Sequence, residues 1–277
     1  MQRQNVLEII RDHLEQFTPQ QAKIASYLLN NHNDVAFLTA TQLAQEIGVS
    51  QPTVIRFAQL LGFPRYHLFV EAFQSLLKAE LTSADRFNLS LQKKHDIILR
   101  EIRTLSHFAR FFPQEAFDRA VEAINASNRV AVIGTRGSSS LAQYFSYFLG
   151  KVKRRVCAIT TGATAEFDTL LQMGKEDLAI ALAFPRYPRE TIELVEFCQG
   201  RDISVVGITD KVDSPLVSLS KLSVVIPITF STIFDSYCSV LCLFNMMVTE
   251  VGRMNQSESA ALLMEFEELA RHLKIFV

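Results

Sequence analysis

Residues 39–63 read TATQLAQEIGVSQPTVIRFAQLLGF, and their apolar residues recur at the spacing of two short helices on either side of Gly48. Thr39 or Thr41 can cap the first helix, because a threonine hydroxyl accepts a hydrogen bond from the free N–H groups there. Gly48 permits a tight turn with the positive φ that other residues resist. Ala44 is small where the two helices must approach each other. The stretch therefore predicts a helix-turn-helix.

The second helix of this motif carries the residues that would meet a partner. Ser50 is a favourable cap for it, and Pro52 lies in its first turn, where a missing N–H costs nothing. The polar residues near its start and on its outer face are Gln51, Thr53, Arg56 and Gln59. In a helix-turn-helix this region enters the major groove of double-stranded DNA, where Gln and Arg contact base edges. These four residues and Ser50 are candidate DNA-binding residues, and a plain helical hairpin is the alternative.

The charge of residues 1–80 limits how this part of the chain can bind DNA. It holds six basic and seven acidic side chains, and affinity for DNA depends on the number of phosphates that are neutralised. One copy should therefore bind weakly, and we expect a homodimer or homotetramer whose paired heads read a palindromic operator. Arg65 and Tyr66, just past the second helix, are candidates for contact with the DNA backbone; the alternative is a solvated loop.

Length and composition describe a folded protein of about two domains. The chain has 277 residues, of which 48% are hydrophobic, and a formal net charge of -1. Its four cysteines form no C-x-x-C pair and its histidines are scattered, so we expect no disulfide framework, no metal and no cofactor. Reduced thiols and an N-terminus without a secretory pattern predict a cytoplasmic protein. The apolar stretch 226–251 contains Pro227, Asp235 and Asn245, which argues against a membrane span.

Short β-branched runs recur in the second half of the chain, with helical stretches between them. The runs are RVAVIG (129–134), VCAIT (156–160), LAIALAF (178–184), SVVGITD (204–210) and SVVIPI (223–228). Strands that alternate with helices predict an α/β domain with a parallel sheet flanked by helices. We therefore expect a helix-turn-helix domain over 1–80, a helical linker over 81–128 and an α/β domain over 129–277.

A loop suited to an anion follows the first of these strands. Gly134 ends the strand, and a helix begins near Ser139 or Ser140. The N-terminus of a helix offers free N–H groups and a partial positive charge, and hydroxyl groups add neutral donors. The candidate ligand-binding residues of this loop are Gly134, Thr135, Arg136, Gly137, Ser138, Ser139 and Ser140. A serine-capped helix that binds nothing is the alternative.

Together the two regions resemble the RpiR-type transcriptional regulators, in which a helix-turn-helix head is fused to a SIS (sugar isomerase) domain. The resemblance rests on FTPQQAKIASYLLNN, LTATQLAQEIGVSQPTVIRFAQLLGF, VAVIGTRGSSSLA and VVGITDKVDSPLVSLSKLSVVIPI, and it covers nearly the whole chain. It implies a regulator whose SIS domain binds a phosphorylated sugar or a related metabolite and thereby changes operator binding. In the family, a serine of the loop after the first strand grips the phosphate, and Ser138 falls on that serine. Arg136 stands where this loop usually has its second glycine.

A second loop of the family, usually Ser-x-Ser-Gly-x-Thr, should follow the strand LAIALAF. The matching stretch over 183–191 reads AFPRYPRET, in which only Thr191 corresponds. Arg186 and Tyr187 can replace hydroxyl contacts with charged and stacking ones. Our hypothesis is that Arg136 and Arg186 bind a carboxylate or a phosphate. The alternatives are that these arginines lie on the surface or pair with acidic residues nearby, for example Glu166, Asp168 or Glu190.

Three other features of the second half have simpler interpretations. Asp235, in the apolar stretch STIFDSYCSVLCLFNMM, should cap a helix start or bind the ligand. The apolar helix from about Phe230 to Val248 is expected in the core or at an interface between copies, and the C-terminal helix is expected at such an interface. The basic run Lys151, Lys153, Arg154 and Arg155 is interpreted as a solvated edge.

Three functions remain open at this point. The first is a DNA-binding regulator that senses a small anionic metabolite, a phosphosugar or a sugar-acid derivative. The second is a sugar-phosphate isomerase, which needs a general base; Glu166 and Glu190 are the carboxylates near the predicted loops. The third is a DNA-binding regulator with no small-molecule effector. Since neither carboxylate has an evident partner and the second phosphate loop is altered, we expect a regulator and not an enzyme.

Overall fold

The structure, a computed structural model, describes residues 6–35, 38–80, 97–229 and 234–276. The chain divides into two compact units, residues 1–91 and residues 92–277. Within the described ranges, no helix combines the length and the apolar character that crossing a bilayer requires.

The described part of the first unit consists of short helices around an apolar core. The helices are α1 (Val6–Asp12), α2 (Pro19–Asn30), α3 (His32–Val35), α4 (Ala40–Ile47), α5 (Gln51–Leu60) and α6 (Tyr66–Glu80). Phe57 of α5 is fully buried and its ring lies 5.2 Å from the ring of Phe17. Phe69 and Phe73 of α6 are buried with their rings 5.0 Å apart. These rings give the small helices a common core.

The ends of α4 and α5 decide the geometry of the helix-turn-helix. Thr39, and not Thr41, caps α4: its hydroxyl accepts a hydrogen bond from the Gln42 N–H, and the Gln42 side chain accepts one from the Thr39 N–H. Gly48 ends α4 with a φ of +73°, as the turn requires. Ser50 stands at the cap position of α5, but its hydroxyl contacts the Thr53 hydroxyl at 2.7 Å and caps no backbone N–H.

The second unit is built on a parallel sheet, as the alternating strands and helices predict. Its strands are β1 (Val130–Ile133), β2 (Val156–Ile159), β3 (Leu178–Leu182), β4 (Ser204–Thr209) and β5 (Leu222–Val225). They pair in the order β2-β1-β3-β4-β5, and each pair of neighbours in this order is parallel. Residues of β1 and β3 are buried on both faces, because helices cover both sides of the sheet. The α/β expectation is confirmed.

The helices of this unit complete the two layers. They are α7 (Ile97–Arg110), α8 (Gln114–Ala126), α9 (Ser139–Leu149), α10 (Thr164–Leu171), α11 (Arg189–Gly200), α12 (Pro215–Ser218), α13 (Cys238–Met254) and α14 (Gln256–His272). One layer buries α8, α9 and α13 against the sheet, where Phe145 and Phe244 stack with ring centroids 4.3 Å apart. The other layer buries residues of α10, α11 and α12.

The region expected as a linker, 81–128, is divided differently in the structure. Helices α7 and α8 belong to the second unit. The reason is apolar burial: Phe108, Phe117, Val121 and Ile124 lie in the same hydrophobic cluster as strands β1 and β5. Residues 81–96 of the expected linker lie outside the described residues.

The apolar helix begins later than its composition suggests. We expected it from about Phe230, whereas α13 begins at Cys238, and residues 230–233 lie outside the described part of the chain. Tyr237 occupies the cap position of α13, so Asp235, which precedes it, does not cap this helix. Val240, Leu243 and Phe244 of α13 are buried. The helix therefore belongs to the core.

The basic run 151–155 was interpreted as a solvated edge, but three of its side chains have partners. Lys153 is buried, and its ammonium group donates hydrogen bonds to the carbonyls of Asn125 and Ser127 at 3.0 and 2.7 Å. The Lys151 ammonium lies 3.3 Å from the ring centroid of Phe266. Arg154 pairs with Glu265 at 2.6 Å. These contacts attach the C-terminal helix α14 and the end of α8 to the run.

We predict that Lys153→Met lowers the free energy of unfolding by about 1–3 kcal/mol, because the carbonyls of Asn125 and Ser127 lose their donor. Burial lowers the pKa of Lys153, and Glu258 opposes that shift. Urea denaturation followed by circular dichroism measures the change. Arg154→Gln is the matched control, since an exposed ion pair contributes about 0–1 kcal/mol. Equal stability of Lys153→Met and the wild type would contradict the assignment.

Candidate functional site

The outer face of α5 presents the residues expected to read DNA. Gln51, Arg56 and Gln59 are exposed, and Thr53 is half-buried. The opposite face is fixed, because Val54, Phe57 and Ala58 are buried in the core. The guanidinium Nε of Arg56 donates to the Pro52 carbonyl at 3.3 Å, which directs the side chain toward the start of the helix. In a helix-turn-helix that end of the second helix meets the base edges.

Two residues after α5, Arg65 and Tyr66, were candidates for contact with the DNA backbone, and their surroundings differ. Arg65 is exposed in the turn before α6. Tyr66 is tied into the unit instead, since its hydroxyl donates to the Leu38 carbonyl at 3.0 Å. Burial raises the pKa of Tyr66. Contact of either residue with the DNA backbone stays a prediction.

The second candidate site lies where the order of the strands reverses. The chain passes from β1 to β2 on one side of the sheet and then crosses to β3 on the other side of β1. In open parallel sheets, ligands bind at the carboxyl ends of the strands at such a switch point. The loops that follow β1 and β3 meet at this place, and they contain the two sequence stretches expected to bind an anion.

The loop after β1 is a tight turn that needs its first glycine. A Cβ atom added at Gly134 would lie 2.7 Å from the Ser138 carbonyl oxygen, closer than such atoms approach. The single turn Arg136–Ser138 then leads into α9. Arg136 has a φ of +54°, a left-handed conformation that favours glycine and that costs other residues about 1–2 kcal/mol. Gly134 thus shapes the loop through its lack of a side chain.

Most hydroxyl groups of the candidate ligand-binding residues make hydrogen bonds within the two loops. The Thr135 and Thr191 hydroxyls lie 2.9 Å apart, and the Thr135 N–H donates to the Thr191 hydroxyl at 3.2 Å; both residues are buried. Ser139 donates to the Arg136 carbonyl and Ser140 to the Gly137 carbonyl. Ser138 is different: it is 3% exposed, and its hydroxyl caps no N–H of α9.

Glu166, Asp168 and Glu190 were the possible acidic partners of Arg136, and Arg136 pairs with one of them. Its Nη2 and Nε atoms donate to Oε1 of Glu190 at 2.7 and 3.0 Å. Arg136 holds the pKa of Glu190 below its usual range. Glu166 has other partners, because its carboxylate accepts the N–H groups of Thr160 and Thr161 at 2.8 to 3.0 Å. Asp168 is exposed on α10.

The loop after β3 is anchored by an aromatic side chain. The Tyr187 hydroxyl donates to Oδ1 of Asp210, in the loop after β4, at 2.7 Å. Burial, and then the charge of Asp210, raises the pKa of Tyr187. Arg186 beside it is exposed and has a φ of +73°. Both arginines of the hypothesis therefore lie in the two loops of the switch point, each in left-handed backbone.

The sequence did not single out Tyr237 as part of this site. Its ring lies 5.1 Å from the ring of Phe184 at the end of β3, and a Cβ added at Gly137 would lie 3.9 Å from its hydroxyl. An aromatic residue in an apolar stretch is usually a core residue. The sequence therefore gave no indication that Tyr237 lies near the loop after β1. Asp235 is half-buried in the same segment before α13.

Comparisons with known proteins agree with the two units. Residues 4–83 match the model of the helix-turn-helix domain of the rpiR family, and residues 123–250 match the model of the SIS domain. The sugar isomerase domain of an RpiR transcription factor from Sphaerobacter thermophilus is 22% identical over 62% of this chain and 97% of its own, with a TM-score of 0.60.

Two further solved structures are similar in fold. The Vibrio vulnificus NanR protein, solved in complex with ManNAc-6P, is 23% identical and has a TM-score of 0.57; the match covers 97% of this chain and 99% of that one. The Escherichia coli CFT073 protein c3406, solved in complex with a ligand, is 15% identical with a TM-score of 0.55, over 68% of this chain and all of its own. The NanR match extends over both units.

We predict that Gly134→Ala lowers the free energy of unfolding by about 1–3 kcal/mol, because the new Cβ must displace the Ser138 carbonyl. Thermal and urea unfolding measure the effect. Gly174→Ala is the control, since no atom lies within 4 Å of a Cβ at that position, and it should leave stability unchanged or raise it slightly. If the two variants unfold alike, the close approach at Gly134 does not shape the loop.

Proposed function

Because the chain belongs to the RpiR family, with that family's helix-turn-helix domain followed by a SIS domain, we propose that it is a transcriptional regulator that senses a phosphosugar. Its first unit binds double-stranded DNA through α5, and its second unit binds the phosphosugar at the switch point of the sheet. The observation that carries the sensing role is the loop after β1, where buried Ser138 stands at the start of α9 beside Arg136.

This loop has the chemistry that a phosphate group requires. The start of α9 supplies free N–H groups and a partial positive charge, and the Ser138 hydroxyl adds a neutral donor. Arg136 and Arg186 add charge on either side of the switch point, and guanidinium groups bind phosphate with two parallel hydrogen bonds. Arginine in left-handed backbone is unfavourable, and such strain gathers where ligands are gripped.

The ligand bound in a similar structure supports the proposal that this chain senses a phosphosugar. NanR, which matches this chain over both units, was solved with ManNAc-6P. The present chain lacks the serines of the second family loop. We propose that Arg186 takes their place, while Tyr187 holds the loop to Asp210 and Thr191 holds it to Thr135.

An isomerase activity is less well supported by the contacts of the two nearby carboxylates. A general base must be free to reach the proton that it removes. Glu166 accepts hydrogen bonds from two backbone N–H groups, and Glu190 is paired with Arg136. Both side chains are held in contacts with the protein, and we propose that the chain binds the sugar without converting it.

We further propose that the regulator works as a homodimer or homotetramer in the cytoplasm, with two heads on a palindromic operator. The first unit has no excess of basic residues, so one head gains little affinity from phosphate contacts. Apolar side chains such as Ile98 of α7 and Met264 of α14 are 74% and 65% exposed in the single chain. Exposed apolar side chains on helices are suited to contacts between subunits.

We predict that Arg56→Ala weakens operator binding by about 1–3 kcal/mol, because a base contact in the major groove is lost. The measurement is fluorescence anisotropy with a duplex that the wild-type protein selects from random DNA. Arg11→Ala removes an equal charge from α1 and is the matched control. The Arg56→Ala variant should respond to phosphosugars as the wild type does. If its affinity for the operator is unchanged, Arg56 does not contact the bases.

We predict that Ser138→Ala combined with Arg186→Ala abolishes the response to phosphosugars without unfolding the protein. A ligand at 100 times its dissociation constant stabilises a fold by about 2.7 kcal/mol, so a thermal-shift assay with ManNAc-6P and a panel of pentose and hexose phosphates detects the loss. The control is the double variant Ser257→Ala with Arg189→Ala. Both residues are exposed, and neither is proposed to contact the ligand. A full response of the first double variant would show that the ligand binds elsewhere.

A further inference from the structure

The turn of the helix-turn-helix has a charged neighbour that lies outside the motif. A Cβ atom added at Gly48 would lie 3.5 Å from the Nζ atom of Lys23, which belongs to α2. Helix α2 packs against both α4 and α5, and its residues Ile24, Ala25 and Leu28 are buried in the core. The backbone that carries Lys23 is thus fixed, and its ammonium group stands at the turn that leads into α5.

The charge of Lys23 is not used by an acidic partner. The residue is exposed, and the ion pairs of the described residues do not include it. Its neighbour is the end of α4, where the Gly48 N–H bonds to the carbonyls of Ala44 and Gln45. A cation beside the last turn of a helix interacts favourably with the helix dipole. Because an ammonium group has three donors, this role leaves Lys23 able to bind an anion as well.

A second exposed cation lies near the other end of α4. Arg65 is exposed, and its neighbour Tyr66 donates to the carbonyl of Leu38, the residue before the Thr39 cap of α4. Helix α4 therefore has Lys23 beside its end and Arg65 near its start. Its 8 residues span about 12 Å, and the major groove of B-DNA is about 12 Å wide. The length of α4 thus matches the separation of the two sugar-phosphate backbones that border the groove.

We propose that Lys23 binds a phosphate of the DNA backbone beside the place where α5 enters the major groove. The proposal rests on the DNA-binding part of the proposed function and adds to it a residue outside the motif. Lys23 and Arg65 then hold the two strands that border the groove. Lysine binds phosphate as a point charge, and phosphate contacts orient a protein on DNA without reading its sequence. Since the first unit has no excess of basic residues, each such contact is a large share of its attraction to DNA.

The test measures how the affinity of the full-length protein for DNA depends on salt. Fluorescence anisotropy at a series of salt concentrations gives the slope of log K against log[salt], for the selected operator duplex and for a scrambled duplex of the same length. Each phosphate contact contributes about 0.9 to the magnitude of this slope. We expect Lys23→Gln to lower it by about 0.9 for each first unit that is bound. The variant should weaken binding to both duplexes by the same factor, because a phosphate contact does not read bases.

Two further variants and a stability measurement control this result. Lys23→Arg keeps the charge and should keep the slope of the wild type. Arg11→Gln removes an equal charge from an exposed position of α1, outside the helix-turn-helix, and should also keep that slope. Thermal unfolding followed by circular dichroism is measured for each variant. A lysine that only stabilises the end of α4 would lower the melting temperature when it is replaced and would leave the slope unchanged.

The outcomes separate this proposal from the proposed function. A wild-type slope for Lys23→Gln, or a lowered slope that Lys23→Arg fails to restore, overturns the phosphate contact of Lys23 and leaves DNA binding by α5 in place. A loss of affinity that is confined to the operator duplex also contradicts it, since Lys23 would then read bases. A wild type that selects no duplex from random DNA overturns the proposed function itself.

Discussion

The buried hydroxyl contact between Thr135 and Thr191 fixes the two loops of the switch point against each other. Parallel pairing of β1 with β3 brings these loops to one edge of the sheet, and the threonines join them there at 2.9 Å. Because a buried neutral contact of this kind is costly to break, it holds the loops in one arrangement. The ion pair of Arg136 and Glu190 lies beside it, with the Arg136 side chain 74% exposed.

The sequence predicted the elements well because their signals are local. Gly48, Thr39 and the β-branched runs act through neighbouring residues, and the helices and strands follow them closely. Contacts between residues that are distant in the sequence could not be predicted from it. Three acidic residues were possible partners of Arg136, and only the crossing of the chain from β2 to β3 brings Glu190 to it. Helices α7 and α8 likewise join the second unit through burial of apolar faces that a sequence cannot assign to a partner.

Polar contacts lead from the segment before α13 to α7. Tyr237 lies opposite Gly137, and the neighbouring Ser236 N–H donates to the Thr229 carbonyl at 2.8 Å. The Thr229 hydroxyl lies 3.1 Å from Oε2 of Glu101 and 2.7 Å from the Thr104 hydroxyl, both on α7. Under the proposed function, a ligand that moves Tyr237 would act on these polar contacts of α7, the first described helix after the helix-turn-helix unit in the chain. Coupling of this kind needs only a difference in ligand affinity between two arrangements of the protein.

The central claim is that a phosphosugar bound to the second unit changes the affinity of the first unit for DNA. The most direct measurement is the dissociation constant of the selected operator duplex, by fluorescence anisotropy, with and without a saturating concentration of ManNAc-6P or of the phosphosugar that gives the largest thermal shift. A coupling free energy of about 1–3 kcal/mol predicts a change of about 5- to 150-fold, and the duplex should change the affinity for the sugar by the same factor. A phosphosugar that binds to saturation and leaves the operator affinity unchanged would contradict the account.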